Sequence, residues 1–219
     1  MILLGAALAL STSPALAEEP PERTSAPEPA VRSEGIRAGI DLGFARASGE
    51  AADRLNQGSP SLIPFGAELS FRTSAKVLIG FHGHLGLASR SDCLGQSDCT
   101  ARGYGLGTHV EAAFSAGKTF VPYIRYGIGW EMLHQSGAYN NAGAYTYRHA
   151  LDLVDLRFGG DFRLSEREGG RATRLGPFIG MIAGLALDEV SGGRAFSRAP
   201  EFGAGHIWYV VGARATIDP

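Results

Sequence analysis

Several groups of residues in this chain are of types and spacings that do chemistry. His82 and His84 stand at alternate positions in FHGHLG, and His109 and Glu111 at alternate positions in THVE. On an extended chain alternate residues share a face, so this set is a candidate ligand group for zinc, copper or nickel. Hydrogen bonding within an ionic network is the competing reading of the same histidines. Cys93 and Cys99 are the only thiols, in CLGQSDC. Their spacing is wrong for a zinc knuckle and suits a disulfide closing a short loop, which would stabilise by about 2 kcal/mol in the chain-entropy model. His134 with Ser136, and His149 further on, offer a base beside a hydroxyl, within a stretch rich in Gly, Asn and Tyr.

The elements that must position these residues are strands. Alternation of apolar with charged or glycine residues recurs eight times from Ile36 onward, the period of a β-strand. IRAGIDLGFAR, Ile36 to Arg46, is the first segment, and Phe65 to Arg72 the second. The others centre on His82 and His84, on His109, on Arg125, on Asp155 to Arg163, on the Gly176, Gly180 and Gly184 series, and on Ile207 to Arg214. Short turns, TSAK and SAGK, and the moderate SEREGGRATR alternate with long polar connections around Gly49 to Pro60, Ser89 to Arg102, His134 to His149 and Val190 to His206. An even number of antiparallel strands with the short turns on one side is an up-and-down barrel.

The chain has 219 residues, a formal net charge of -2 and 31 glycines. The near-neutral balance offers nothing to a nucleic acid. ILLGAALAL followed by Ala15, Leu16 and Ala17 reads as an export signal spanning residues 1–17 and cleaved after Ala17. Residues 18–35, EEPPERTSAPEPAVRSEG, are rich in Pro, Glu and Ser and nearly devoid of large apolar side chains. That composition is expected to form a disordered periplasmic tail, leaving 36–219 as the barrel domain.

Volume decides which face of the sheet points inward. An eight-stranded barrel has an interior just wide enough to be filled by side chains, and the many aromatic and aliphatic residues of the apolar face would overfill it. The other face carries Asp41, Glu68, Glu111, Glu131, Asp155 and Asp161 with Arg37, Arg72, Arg125, Arg157, Arg163 and Arg214, interleaved with glycine. Acids and arginines in balance predict a paired network that plugs the lumen, because unpaired ions there would cost several kcal/mol each. The apolar face would then meet lipid. Phe44, Phe65, Tyr104, Trp130 and Tyr209 fall near the long-loop rim and Phe71, Phe114, Phe120 and Phe162 near the short-turn rim, two aromatic girdles around an aliphatic band. The expectation is an all-β, eight-stranded antiparallel up-and-down transmembrane β-barrel with an N-terminal signal peptide.

On export signal, strand number, alternation and loop asymmetry, the chain from Ile36 onward resembles the small eight-stranded outer-membrane barrels of the OmpA, OmpX and OmpW type of Gram-negative bacteria. The resemblance implies an outer-membrane location with short turns toward the periplasm, and CLGQSDC at the cell surface. It implies passage through periplasmic chaperones and the barrel assembly machinery, and surroundings of phospholipid and lipopolysaccharide. Such barrels usually end on an aromatic residue; here the end is ATIDP, and Ile217 has the matching parity.

The functional expectation is a structural or adhesion-like role without cofactor, for a monomer. Tyr139, Tyr145 and Tyr147 in SGAYNNAGAYTYRH suit contact with a surface protein or glycan and suit a hairpin extension equally. Three alternatives stand beside it. A lipid A-modifying enzyme would draw on His134, Ser136 and His149. A transporter would pass small solutes through gaps between the charges, or hydrophobic molecules through a lateral opening, and for the latter only Leu133, Phe178, Ile182, Trp208 and Val210 supply inward apolar surface. A soluble periplasmic ligand-binding barrel would turn the sheet the other way.

Overall fold

A computed structural model describes residues 35–48, 61–90, 100–114, 119–139, 142–167, 171–192 and 205–218. The export signal, almost all of the tail, and Cys93 and Cys99 lie outside these residues. The strands are β1 (Gly35–Ser48), β2 (Ser61–Arg72), β3 (Val77–Arg90), β4 (Thr100–Ala113), β5 (Phe120–Tyr139), β6 (Ala142–Arg167), β7 (Arg171–Gly192) and β8 (Gly205–Asp218). Each pairs antiparallel with the next, and β8 returns to β1 to close the barrel. Closure removes both sheet edges, so the backbone donors and acceptors of the wall are spent within it.

The barrel is inside out relative to a soluble protein. Ile40, Leu42, Phe81, Leu106, Ile128, Ile179 and Val211 are exposed, Leu106 by 65%, whereas Arg125 is 2% exposed and Glu111 1%. The girdle residues lie on this outer surface: Phe44, Phe65, Phe71, Phe114, Phe120, Phe162 and Tyr209 are exposed, and Tyr104 and Trp130 half-buried. Phe120 and Phe162, paired across β5 and β6, pack at 4.8 Å between ring centroids. The band between the girdles is not purely aliphatic, since Phe81 and Tyr126 also face outward.

The inward glycines are explained by space. A Cβ on Gly66 would stand 2.5 Å from the Asp41 carboxylate, and one on Gly105 would strike the ring of His84. In a lumen this narrow, an ion or imidazole from one strand occupies the volume that its neighbour's side chain would need.

Two departures from the sequence expectation matter. The stretch His134 to His149, expected as a long connection, is nearly all strand: β5 runs to Tyr139, β6 starts at Ala142, and the register carries through to Tyr139 opposite Ala142. β5, β6 and β7 hold 20, 26 and 22 residues, whereas β1 to β4 and β8 hold 12 to 14, close to the roughly 9–11 that cross a bilayer. The longer strands continue past the long-loop rim as a tall wall. The alternation of β6 also breaks. The register shifts between Asp152 and Val154, so Leu153 is exposed and Val154 half-buried while Asp152 and Asp155 are both buried. Such a bulge leaves ladder groups unpaired, and here the Tyr126 hydroxyl donates to the Leu153 carbonyl at 3.0 Å.

Candidate functional site in the barrel lumen

The lumen is stratified along the barrel axis. At the short-turn end Arg72 and Arg174 reach Asp218 at 3.1 and 3.5 Å. Asp218 lies beyond the last segment recognised by alternation, in the terminal residues of β8. Arg163 is half-buried, and its Cα partner on β7 is Arg174.

Above this lies a dense ionic plate. Arg37 places Nη1 and Nη2 on the two oxygens of Glu111 at 2.7 and 2.8 Å. Arg214 takes the same carboxylate from the other side at 2.5 and 3.1 Å and donates to Asp161 through Nε and Nη2 at 3.0 and 2.7 Å. The Arg214 guanidinium also covers the Tyr123 ring, 3.4 Å from its centroid. Glu68 joins this plate to the next, accepting from Arg37 at 3.2 Å and from Arg125 at 2.8 Å. Arg125 and Arg157 both hold Asp155, at 3.2 and 3.0 Å, and Arg157 approaches Asp41 at 3.6 Å. Bidentate forks of this kind fix position as well as charge. The plates link β1, β2, β4, β5, β6 and β8 across the interior.

The histidines of the third and fourth strands separate into different layers. The register sets Gly80 opposite His109, His82 opposite Gly107 and His84 opposite Gly105. His82 and His109 therefore meet diagonally, Nδ1 to Nδ1 at 3.4 Å. Each is engaged elsewhere as well, His109 with Ser70 Oγ at 3.0 Å and His82 with Asp155 at 3.4 Å. His84 lies one step further toward the long-loop rim and lines a separate cavity of about 30 Å³ with Glu131, Asp41, Trp208 and Ile182.

Beside that cavity the structure assembles a group that alternation missed. Glu131, Asp152 and His206 converge, with one potential ligand atom from each within 4.8 Å of the others. His206 Nε2 lies 3.3 Å from Asp152 Oδ1 and 3.6 Å from Glu131 Oε2. Glu131 Oε2 also accepts from Trp208 Nε1 at 3.0 Å. Only Glu131 was legible as an inward acid. Strict alternation assigns Asp152 the outward parity of Val154, and His206 precedes the eighth alternating segment and reads as connection. The signal that would have found His206 is its parity with Trp208 and Val210.

Leu133, Phe178, Ile182, Trp208 and Val210 all point inward and pack with Ala45, Leu62 and Ala101 into a buried cluster. The rim residues with enzyme-like chemistry do not face this interior. His149 stacks on Trp130 at 5.4 Å between centroids, and Ser136 Oγ bonds Thr100 Oγ1 at 2.9 Å. His134 is half-buried and alternates with the inward Leu133 and Gln135.

No family model matches the chain, and no curated protein matches it. Among solved structures it is similar to Neisserial surface protein A, at 11% identity over 83% of this chain and 96% of that one, with a TM-score of 0.49. The outer membrane protein OprG from Pseudomonas aeruginosa is similar at 13% identity, over 85% of this chain and 98% of that one, with a TM-score of 0.43. The outer membrane protease OmpT from Escherichia coli is similar at 10% identity over 85% and 97%, with a TM-score of 0.31.

Proposed function

We propose that this chain is an outer-membrane β-barrel whose lumen is sealed by ion pairs and whose role is structural or recognitional at the cell surface. The observation that carries the reading is the inversion of burial: leucine, isoleucine and phenylalanine outside, arginine, aspartate and glutamate inside. An exposed apolar surface that encircles the wall is stable only against hydrocarbon. Its partners in this reading are phospholipid and lipopolysaccharide around the wall, and chaperones and the assembly machinery during delivery. The soluble ligand-carrier reading would need the opposite distribution.

The tall β5 to β7 wall is the part of the molecule best suited to recognition, because it carries a paired sheet beyond the length a bilayer takes up. Transport is disfavoured by the plates around Arg37, Glu111 and Arg214. Catalysis is disfavoured at the rim, where His149 stacks on Trp130 and Ser136 is bonded to Thr100.

Fractionation of cells expressing the full chain, combined with electrophoresis of unboiled and boiled samples, tests the reading. The expected result is recovery in the outer-membrane fraction and faster migration before boiling. Recovery in the aqueous periplasmic fraction would overturn it. Conductance in planar bilayers separates a sealed barrel, which stays silent, from a transporter of small ions.

A further inference from the structure

We propose that Glu131, Asp152 and His206 form a binding site for a divalent first-row transition ion such as zinc, held in the upper lumen between β5, β6 and β8. The donor set is an imidazole with two carboxylates, one that suits zinc and its neighbours better than magnesium or calcium, which prefer all-oxygen cages.

The spacing of the donor atoms accommodates an ion. His206 Nε2 is hydrogen-bonded to Asp152 Oδ1 at 3.3 Å and stands 3.6 Å from Glu131 Oε2, so an ion would take the place of the shared proton. Ligands about 2.0–2.1 Å from a tetrahedral ion are separated by roughly 3.3–3.4 Å, near the observed spacings. The ring is fully buried.

The surroundings are arranged for these three side chains. The β6 bulge turns Asp152 inward. Gly184 on β7 leaves room for them, since a Cβ there would stand 2.7 Å from His206 Cε1 and 3.0 Å from Asp152 Oδ1. Trp208 donates to Glu131 Oε2, the outer hydrogen bond that orients a ligating carboxylate. The cavity lined by Glu131, His84 and Trp208 borders the group on the Glu131 side.

The test uses the full chain purified in detergent micelles and freed of metal with a chelator. Zinc titration is followed by equilibrium dialysis, and cobalt is substituted to read coordination from its visible absorption. A single equivalent of zinc and the intense absorption of four-coordinate cobalt are expected. His206→Gln and Asp152→Asn, each checked for the heat-dependent gel shift of a closed barrel, should weaken zinc binding by about 100-fold or more. A chain with His134→Ala and His149→Ala should bind as the wild type does. Should both ligand variants fail to fold, Trp208→Phe decides, with an expected loss of about 10- to 100-fold. Absence of stoichiometric zinc in the wild type would overturn the proposal. So would affinity unchanged in folded His206→Gln, or in folded Trp208→Phe where that variant decides.

Discussion

Arg214 and Glu111 face each other across the lumen with two guanidinium nitrogens on two carboxylate oxygens, at 2.5 and 3.1 Å. Arg37 grips the same carboxylate from β1. One buried acid thus serves two buried arginines, so its removal strips a partner from both at once. Glu111→Ala would leave Arg37 with Glu68 and Arg214 with Asp161, each short of a principal partner. Breaking a buried pair in this way costs about 3–5 kcal/mol. Urea unfolding of the barrel in lipid vesicles should show a loss of that size. A loss under about 1 kcal/mol would mean that water reaches the plate and screens it.

Leu106, the outward residue opposite Gly83 at the centre of β3, is the natural site at which to challenge the wall. Leu106→Arg places a charge in the apolar band and should destabilise the barrel by roughly 2–4 kcal/mol in vesicles. An unchanged midpoint of unfolding would contradict immersion of this surface in lipid.

Tyr126 and the β6 bulge provide a smaller and more local measurement. Tyr126→Phe removes only the hydroxyl that donates to Leu153, leaving that carbonyl to find another donor. A loss of about 0.5–1.5 kcal/mol is expected, together with faster amide exchange at Leu153 and Val154. Equal exchange in the two proteins would show that the hydroxyl does not hold the bulge.

Gly66 and Asp41 test whether the inward glycines are there to give space. Gly66→Ala sets a methyl group 2.5 Å from the Asp41 carboxylate and forces that side chain, with its Arg157 contact, to move. Overpacking of this kind costs about 1–3 kcal/mol. A neutral or stabilising result would mean that the lumen has slack at this level.

Strand count, antiparallel order and the inward or outward sense of most residues were legible in the sequence by itself. Side chains alternate on a strand, and an eight-stranded cylinder has only one face that its interior volume can hold. Arg37, Glu68, Glu111, Arg125, Asp155 and Arg214 were readable on that face because each sits in an unbroken alternation. Which of them pair was not readable, since pairing depends on the stagger between strands and on the glycine opposite each ion. Tertiary structure alone set His84 in a layer apart from His82 and His109. It also decided for the His134 to His149 stretch between two readings that the sequence left even, a surface loop and a hairpin extension, in favour of the hairpin, because β5 and β6 go on pairing beyond the barrel rim. The convergence of Glu131, Asp152 and His206 was likewise decided by three-dimensional packing. One extra residue in β6 reverses the sense of Asp152, and although the parity of His206 with Trp208 marks it as inward, its place beside Asp152 and Glu131 is set only by the stagger of β5, β6 and β8 around the barrel.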